Sequence, residues 1–426
     1  MRRLPEIVLC ASLALAAATY QPHVPAGAKP ICAPDNGGIT LPEDFCAVVV
    51  ADRLGRARHL TVAPNGDVFV ALANRREERG GIVALRDTTG DGVADVVTRF
   101  GENGGTGIAL RGASLYFGPD DAVLRYTLPG GSLSPSSAPD TLVSGLPADR
   151  NHRAKSLALG TGRDLFVNIG SPTNSCQVQD RQNEAPGVDP CPDLATRAGI
   201  WRFDAERKGQ TQAQGERFAT GTRNIVALTF HDGRVWGAQH GRDQLFQNWP
   251  GLFDAAAGAE KPSEEFFQIS RGDDFGWPYC YHDPERGQKV LAPEYGGDGE
   301  TVGRCAQKKA PLVAFPAHWA PNALLFYTGN AFPAAYRGGA FIAFHGSWNR
   351  APLPQGGYRV VFVPFRDGRP SAAWSVFADG FAGDSVQPGL ARHRPTGLAQ
   401  GPDGSLYISD DAGGRIWRVL YKGRRR

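Results

Sequence analysis

The stretch HLTVAPNGDVFVAL (residues 59–72) places two short apolar runs on either side of an Asn-Gly turn. Apolar runs rich in Val, Leu and Phe favour β-strands, and Asn-Gly is typical of the tight turn of a hairpin. The same strand–turn–strand pattern recurs in residues 106–118, 153–170, 223–239, 321–345 and 394–410. One hairpin per repeat is typical of four-stranded blades arranged around an axis. The six copies therefore predict an all-β fold, a six-bladed β-propeller.

Polar residues stand near the start of several repeats, where a propeller brings its loops together at one end of the axis. They are His59, Asn151, His152, Arg223, Asn224, His318, Arg392, His393 and Arg394. Taken singly, such a residue is more often a loop cap on a solvated rim. Their recurrence at one topological position favours a shared site, so we expect a functional cleft at this end of the propeller.

The composition is that of one large domain. With 426 residues, of which 41% are hydrophobic and 21% charged, the chain is long enough to bury an ample core. Its 54 Gly and 32 Pro residues fit a fold with many tight turns. The net charge of +3 is too small to indicate a nucleic-acid-binding surface, so no nucleic-acid partner is expected.

The N-terminus has the features of a secretion signal. Arg2 and Arg3 precede the apolar run IVLCASLALAAAT (residues 7–19), which is too short to span a bilayer but typical of a signal peptide. We expect residues 1–18 to be removed, giving a periplasmic or secreted protein with no stable membrane span; an uncleaved anchor is the alternative. The predicted organisation is then an extension over residues 19–53, the propeller over 54–421 and a basic, solvated tail over 422–426.

The cysteines agree with export. Cys10 lies in the predicted signal, and the other six form three sequence-local pairs: Cys32 with Cys46, Cys176 with Cys191, and Cys280 with Cys305. Six cysteines formally permit fifteen pairings. An even number of cysteines in an oxidising compartment predicts disulfides, and locality favours these three. A metal cluster is the alternative, although the sequence has no CxxC.

The connection between the fourth and fifth repeats, residues 242–320, is longer than the others. Long insertions in compact domains are usually functional or disordered. This one contains the aromatic segment GDDFGWPYCYH (residues 272–282) and one of the predicted disulfides. We therefore expect an ordered insertion that forms a wall of the cleft.

A second candidate site is the loop DTTGDGVAD (residues 87–95). Asp87, Asp91 and Asp95 have the spacing of an oxygen-rich calcium loop, with Gly92 at the turn. Thr89 stands where such loops usually carry Asp or Asn, and no Glu completes an EF-hand. The loop is thus either a structural calcium site or a hairpin turn without metal.

An ordered set of motifs carries a family resemblance. Residues 151–172, 221–224, 238–243, 272–278, 345–350 and 392–411 together resemble the glucose/sorbosone dehydrogenase family, and most closely its sorbosone dehydrogenase-like members. The likeness covers residues 54–421 in the right order. It implies an exported quinoprotein oxidoreductase that oxidises an aldose, a sorbosone-like aldehyde or a related sugar. The cofactor implied is pyrroloquinoline quinone (PQQ) with calcium, and electrons pass on to an external acceptor.

The resemblance also implies roles for individual residues. His152 resembles the family's catalytic histidine, and an imidazole is a suitable base for a sugar hydroxyl during hydride transfer. Arg223 and Asn224 resemble the residues that hold the quinone, and Arg223 also stabilises the charge that develops on the reduced oxygen. Arg392 and Arg394 fall where the family carries paired arginines. Guanidinium groups suit a tricarboxylated ring because they pair bidentately with carboxylates.

Further implied positions depart from the family pattern. Trp348 follows the fifth repeat, near a position where relatives carry a lysine that is absent here, and it is expected to stack on the cofactor ring. The backbone carbonyls of Gly241 and Arg242 stand where relatives bind calcium, but Arg242 replaces a proline found in some members. Ala227 replaces the glycine of the quinone-binding motif. Calcium is therefore less securely implied than the quinone.

Two other functions fit the same fold. One is a propeller that binds carbohydrate or protein without catalysis, since one scaffold serves many functions. The other is a lactonase-like hydrolase, which needs a metal centre of carboxylates and asparagines; Asn224 and Asn322 are present without a convincing set of axial acids. A redox site for an anionic ring is favoured by the combination of His152 with Arg223, Asn224, Arg392 and Arg394.

Overall fold

The computed structural model describes residues 29–75 and 79–423. The predicted signal peptide with Cys10, and the last three residues of the predicted tail, lie outside the described residues. Within the described ranges, no helix has the length and apolar character needed to cross a membrane.

The described residues form 29 strands and a few short helices. In chain order the strands are β1 (Phe45–Ala51), β2 (Ala57–Val62), β3 (Val68–Leu72), β4 (Gly81–Arg86), β5 (Val96–Phe100), β6 (Gly105–Arg111), β7 (Ser114–Pro119), β8 (Val123–Thr127), β9 (Asp140–Ser144), β10 (Leu157–Leu159), β11 (Asp164–Ile169), β12 (Gly199–Asp204), β13 (Gln210–Thr211), β14 (Glu216–Thr220), β15 (Ala227–His231), β16 (Arg234–Gln239), β17 (Glu264–Ile269), β18 (Cys280–Asp283), β19 (Gln288–Leu291), β20 (Val313–Phe315), β21 (Pro321–Phe326), β22 (Ala340–Phe344), β23 (Arg359–Val363), β24 (Phe365–Arg366), β25 (Arg369–Pro370), β26 (Ser375–Ala378), β27 (Pro395–Gln400), β28 (Leu406–Asp410) and β29 (Ile416–Tyr421). The α-helices are α1 (Leu245–Asn248) and α2 (Ala255–Glu260), and five single 3₁₀ turns cover Pro192–Ala195, Gln212–Gln214, Pro293–Tyr295, Gly303–Gln307 and Ala334–Tyr336.

Six sheets form the blades of a propeller, which confirms the predicted fold. From the inside outward they are β2-β3-β4-β5 (blade 1), β6-β7-β8-β9 (blade 2, to which β13 adds a parallel strand), β10-β11-β12-β14 (blade 3), β15-β16-β17-β20 (blade 4), β21-β22-β23-β26 (blade 5) and β27-β28-β29-β1 (blade 6). Each hairpin predicted from the sequence supplies the two inner strands of one blade. The inner strands contact one another around the ring, and β2 meets β27 to close it.

Apolar clusters fill the spaces between neighbouring blades. Each cluster combines residues of two adjacent blades, represented by Phe69 and Leu115, Tyr116 and Leu165, Phe166 and Val235, Trp236 and Leu324, Phe341 and Leu398, and Tyr407 and Val70. Burial of these faces is the main stabilising contribution to such a stack of sheets. The polar ends of the inner strands are thereby held in a fixed ring.

The propeller begins earlier in the chain than the predicted residue 54. β1 pairs antiparallel with β29, for example Ala47 with Val419, and forms the outermost strand of blade 6. Without β1, the outer edge of β29 would expose unpaired backbone groups, so the N-terminal segment closes the ring. The predicted extension over residues 19–53 is therefore corrected, because its last part belongs to a blade.

The long connection over residues 242–320 is also only partly an insertion. It contains β17 and β20, which blade 4 needs to complete its four strands. The remainder is ordered, as predicted: α1, α2 and the β18–β19 hairpin pack around their own apolar cluster, which includes Leu245, Phe253 and Tyr281. Two blade strands therefore lie within the segment that the sequence assigned to an insertion.

The three predicted disulfides are confirmed, with Cys32–Cys46, Cys176–Cys191 and Cys280–Cys305 all bonded. Among the described residues, the one group of three potential metal ligands within 4.8 Å of one another is Cys176, Cys191 and Asp193. Because both of its thiols are in a disulfide, this group offers no thiolate ligands. The alternative of a cysteine metal cluster is thus not supported.

The predicted calcium loop is a hydrogen-bonded turn. Asp87 accepts backbone N–H groups from Thr89, Gly90 and Gly92, and Asp95 accepts the N–H of Thr88 at 2.7 Å. In the part of the chain that the structure describes, Asp87, Asp91 and Asp95 do not come together as a group of metal ligands. The carboxylates of Asp87 and Asp95 thus hold the turn through its backbone N–H groups.

Candidate functional site

The site lies at the end of the axis where the inner strands begin. Hydrogen bonds between different blades hold it together: His59 Nε2 bonds Asn322 O at 2.7 Å, and His240 Nε2 bonds Pro321 O at 3.0 Å. Both bonds are donated by the imidazoles, because a carbonyl oxygen only accepts. Burial lowers the pKa of both histidines to about 4, so both rings are neutral near pH 7.

His152 precedes blade 3 and has a fixed tautomer. Its Nδ1 lies 2.8 Å from Ser171 O and 3.1 Å from Ser171 Oγ, and Ser171 Oγ donates its own proton to Thr173 O. Nδ1 must therefore carry the proton, which leaves the lone pair on Nε2. No described residue hydrogen-bonds Nε2. Burial, followed by the positive charge of Arg223, lowers the pKa of His152 well below its usual value.

Gly170 allows His152 and Asn224 to approach each other. A Cβ at Gly170 would lie 2.5 Å from His152 Cβ and 2.9 Å from Asn224 Oδ1, which is too close for any side chain. Asn224 Oδ1 accepts a hydrogen bond from Asn168 at 3.1 Å. Asn224 Nδ2 has no partner within residues 29–75 and 79–423 and remains available as a donor beside the imidazole.

Arg223 is buried in a network of the protein's own groups. Its guanidinium donates to Asn174 O (3.3 Å), Asn174 Oδ1 (3.0 Å), Gly241 O (2.9 Å) and Asp243 Oδ2 (2.8 Å). These four bonds leave one of its five N–H groups. Arg223 can therefore donate only one N–H to a cofactor carboxylate, and its main partner is Asp243.

Asp243 is the centre of this network. Burial raises its pKa, but Arg223, His318 and Arg181 outweigh burial and hold the pKa well below its ordinary range. Asn349, in the loop after β22, donates to Asp243 Oδ1 at 2.9 Å. The ionised carboxylate therefore ties blade 4 to the loop of blade 5.

One of the two carbonyls predicted to bind calcium already has a cationic partner. Gly241 O accepts from the Arg223 guanidinium, and Arg242 is buried in an ion pair with Glu294 at 2.5 Å. A second cation at Gly241 O would be repelled by Arg223. The structure thus argues against calcium at the Gly241 carbonyl, whereas the predicted role of the Arg242 carbonyl stays a prediction.

The remaining predicted residues differ in their contacts and in their exposure to solvent. Arg394 donates to His345 O (3.0 Å) and Gly346 O (2.6 Å), and its Nη1 has no partner among the residues described. Arg392 has a side chain that is 61% exposed and lies 3.4 Å from Asp384. Trp348 is 52% exposed, as a stacking residue requires. Arg394 is therefore held against the loop that follows β22 and carries Trp348, whereas Arg392 lies on the exposed rim.

Sequence reasoning missed a second histidine with a carboxylate partner. His345 Nε2 donates to Asp411 Oδ1 at 2.7 Å, and Asp411 Oδ2 accepts from Arg58 at 2.7 Å. Burial raises the pKa of Asp411, but His345 and Arg58 outweigh burial and depress it, so Asp411 is ionised. His345 and Asp411 both lie in quoted motifs, but 66 residues separate them. The sequence held no signal of their contact.

Two further buried ionisable groups, Lys155 and Glu264, were not predicted from the sequence. Burial lowers the pKa of Lys155 to about 8, and its ammonium donates to Arg153 O at 2.6 Å. Burial raises the pKa of Glu264 to about 8, although Gly241 N–H (2.8 Å) and Ala320 N–H (2.9 Å) donate to its carboxylate. Both groups thus change charge near neutral pH.

Comparisons with known proteins agree with this architecture. The TrAA12-like family model matches residues 39–422. A 220-residue region is 31% identical to an uncharacterized protein of Borreliella burgdorferi and covers 49% of each chain. A 295-residue region is 26% identical to the pyrroloquinoline quinone-dependent pyranose dehydrogenase of Coprinopsis cinerea, covering 60% of this chain and 38% of that protein. The chain thus spans less than half the length of either curated relative.

Solved structures share the fold. The holo form of the PQQ domain of the C. cinerea pyranose dehydrogenase superposes with a TM-score of 0.74 at 21% identity, covering 93% of this chain and 99% of that one. The calcium structure of a Trichoderma reesei protein of Carbohydrate-Active Enzymes Family AA12 has a TM-score of 0.73 at 19% identity, with 90% and 97% covered. The predicted likeness to soluble quinoprotein sugar dehydrogenases is confirmed.

Proposed function

The chain belongs to the TrAA12-like family, and we propose that it is an oxidoreductase that oxidises a sugar with PQQ as its cofactor. The substrate class is an aldose, a sorbosone-like aldehyde or a related sugar. The relatives named for PQQ-dependent sugar oxidation support this proposal. The observation that carries it is the state of His152, a neutral imidazole whose Nε2 lone pair has no partner among the described residues.

His152 is the proposed general base. Because Ser171 O holds Nδ1–H, the imidazole presents Nε2 for the proton of a substrate hydroxyl. That proton moves to Nε2 as the carbon–oxygen bond of the substrate becomes a carbonyl. The resulting imidazolium is disfavoured by burial and by Arg223, so it must release the proton before the next turnover.

The residues present fit a planar, polycarboxylated quinone. Arg394 Nη1 and Asn224 Nδ2 are donors without partners among the described residues, and the exposed Trp348 offers an aromatic face. Arg223 contributes one N–H, and its ion pair with Asp243 holds the two residues together. When bound, PQQ supplies the electrophilic carbonyl that accepts the hydride. Calcium at the Gly241 carbonyl is not part of the proposal, because the Arg223 guanidinium occupies that oxygen.

The location and the electron acceptor complete the proposal. Three disulfides favour an oxidising compartment, so we place the mature protein in the periplasm or outside the cell. A bound cofactor that has been reduced needs reoxidation in every cycle. An external electron acceptor is therefore required.

Reconstitution tests this function directly. The purified protein is titrated with PQQ, and its visible spectrum is recorded before and after addition of aldoses, with a redox dye as the final acceptor. We expect saturable cofactor binding and a sugar-dependent spectral change. Sugar binding without any redox change would favour the non-catalytic propeller, and quinone-independent lactone hydrolysis would favour the hydrolase.

A further inference from the structure

Two histidines of the site, His59 and His240, meet at Asn322 in β21. His59 Nε2 donates to Asn322 O at 2.7 Å. His240 Nε2 donates to Pro321 O at 3.0 Å and lies 3.1 Å from Asn322 Oδ1. His59 belongs to blade 1, His240 follows the second strand of blade 4, and Asn322 belongs to blade 5. Three blades therefore bring His59, His240 and Asn322 to one place, and we call these three residues the Asn322 cluster.

Each imidazole of the cluster keeps one nitrogen as an acceptor. Because a carbonyl oxygen only accepts, the Nε2 atoms of His59 and His240 carry the protons and the Nδ1 atoms carry the lone pairs. Neither Nδ1 atom has a hydrogen-bond partner among the described residues, and neither is fully enclosed, since both residues are partly exposed. Burial lowers the pKa of both rings to about 4, so both lone pairs persist at neutral and mildly acidic pH.

Asn322 adds a donor to these two acceptors. Its Oδ1 accepts from His240, and its Nδ2 has no hydrogen-bond partner within residues 29–75 and 79–423. The cluster thus offers two acceptors and one donor, all of them uncharged. A hydroxyl group can both donate and accept, whereas a carboxylate or an aldehyde carbonyl only accepts. The cluster therefore suits a ligand with several hydroxyls.

The cluster adjoins the proposed general base. His240 N–H donates to Asn224 O at 3.0 Å, and Asn224 lies beside His152 across Gly170. Burial and Arg223 are the main factors that lower the pKa of His152, and His240 also contributes. The cluster therefore borders the space in which a substrate hydroxyl must meet His152 Nε2.

We propose that the Asn322 cluster binds the non-reacting hydroxyls of the substrate and so selects a neutral, polyhydroxylated sugar. This inference rests on the proposed function and narrows its substrate class: acidic sugars and simple aldehydes are disfavoured. Sugar hydroxyls donate to Nδ1 of His59 and His240, and Asn322 Nδ2 donates to a hydroxyl oxygen. A carboxylate at the same place would lose its hydration and find no donor on either imidazole.

A transition metal is the other ligand that suits two imidazole nitrogens. In the part of the chain that the structure describes, however, neither His59 nor His240 belongs to a group of three potential metal ligands within 4.8 Å of one another. The cluster thus has the donors and acceptors for hydroxyls without a closed set of metal ligands.

Sugar binding to the cofactor-free protein tests the inference, with glucose, galactose, mannose and xylose as neutral probes and glucuronate and propionaldehyde as comparisons. We expect one or more of the neutral sugars to bind saturably and more tightly than either comparison. His59→Gln and His240→Gln retain an N–H at the Nε2 position but lose the Nδ1 lone pair. Each should weaken sugar binding about two- to tenfold, the usual effect of losing one neutral hydrogen bond.

The same substitution at the other end of blade 4 is the matched control. His231, the last residue of β15, stacks on Phe326 at 4.3 Å, and His231→Gln should bind sugar as the wild type does. Deoxy analogues of the bound sugar give a second readout. Removal of a hydroxyl that meets an imidazole should weaken binding to the wild type but not to the corresponding Gln variant. A merely structural role of the histidines would instead lower the affinity for every analogue alike.

Unchanged sugar affinity in both Gln variants, tighter binding of glucuronate than of every neutral sugar, or no saturable binding of any neutral sugar overturns the inference. Sugar binding that requires added zinc also overturns it. Failure of the proposed function is observed separately, as the absence of dye reduction by the PQQ-loaded protein. Sugar binding that depends on His59 and His240 without dye reduction supports the inference and refutes only the oxidation.

Discussion

His152 on blade 3 and His345 on blade 5 are held by different partners on two sides of the same cleft. His152 donates Nδ1–H to a neutral carbonyl, Ser171 O, whereas His345 donates Nε2–H to the ionised carboxylate of Asp411. Burial lowers the pKa of both imidazoles. The nearest charge, however, opposes protonation at His152 (Arg223) and favours it at His345 (Asp411).

This difference separates a reactive side of the cleft from a structural one. His152 presents a lone pair with no partner among the described residues, so it is free to accept a proton from a substrate. His345 instead completes a chain from Arg58 through Asp411, which fixes the loop that carries Trp348. We therefore assign proton transfer to His152 and positioning to His345.

The largest expected effect is on turnover after removal of the His152 imidazole. His152→Ala should bind PQQ almost normally and lose roughly 10²–10⁴-fold in turnover, the usual contribution of a positioned base. The matched control is Asn151→Ala, whose side chain is exposed and donates only to Pro172 O. Full turnover by His152→Ala would show that His152 is not the base.

The next effect is on stability. Arg223→Ala removes one partner of a buried ion pair and leaves the Asp243 charge undercompensated, so we expect a loss of about 3–5 kcal/mol in the free energy of unfolding. Arg163→Ala breaks a pair of similar length with Asp204, but Arg163 is 63% exposed, so we expect a much smaller loss. Urea unfolding of both variants provides the measurement. Equal losses would mean that burial does not govern the Arg223 pair.

Cofactor affinity distinguishes the two arginines of the 392–394 turn. Arg394→Ala should weaken PQQ binding about tenfold or more, since a hydrogen bond to a charged group contributes about 1.5–3 kcal/mol. Arg392→Ala should change the affinity little, because this exposed side chain faces Asp384 on the rim. Titration of each variant with PQQ decides between them, and a larger loss for Arg392→Ala would reverse the assignment.

The smallest effect is on the decline of kcat/KM at acid pH. The reaction needs neutral His152, and a lowered pKa keeps the imidazole neutral below its ordinary value of 6.5. As the pH falls, kcat/KM should therefore decline only below pH 6.5. The measurement is kcat/KM as a function of pH across the acid range, with the dye acceptor at a saturating concentration. Half-loss at or above pH 6.5 would contradict the buried, neutral imidazole.

The sequence predicts the parts of this molecule that depend on local patterns. Six hairpins define the blades, and the short spacing within each cysteine pair indicates the disulfides. The pairing of β1 with β29 was missed because it joins the two ends of the propeller. The His345–Asp411 contact was missed because the two residues belong to different blades, 66 residues apart. The bond between Arg223 and Asp243 was missed although only 20 residues separate them. Distant side chains meet only after the ring has closed.

The most direct test of the central claim is the protonation state of His152 in ¹⁵N NMR spectra of the cofactor-free protein, assigned with His152→Gln. We expect a neutral ring at pH 7, with the proton on Nδ1 and the lone pair on Nε2, and we expect the ring to remain neutral as the pH falls past 6.5. An imidazolium at pH 7, or a neutral ring with its proton on Nε2, would contradict the assignment of His152 as the proton acceptor.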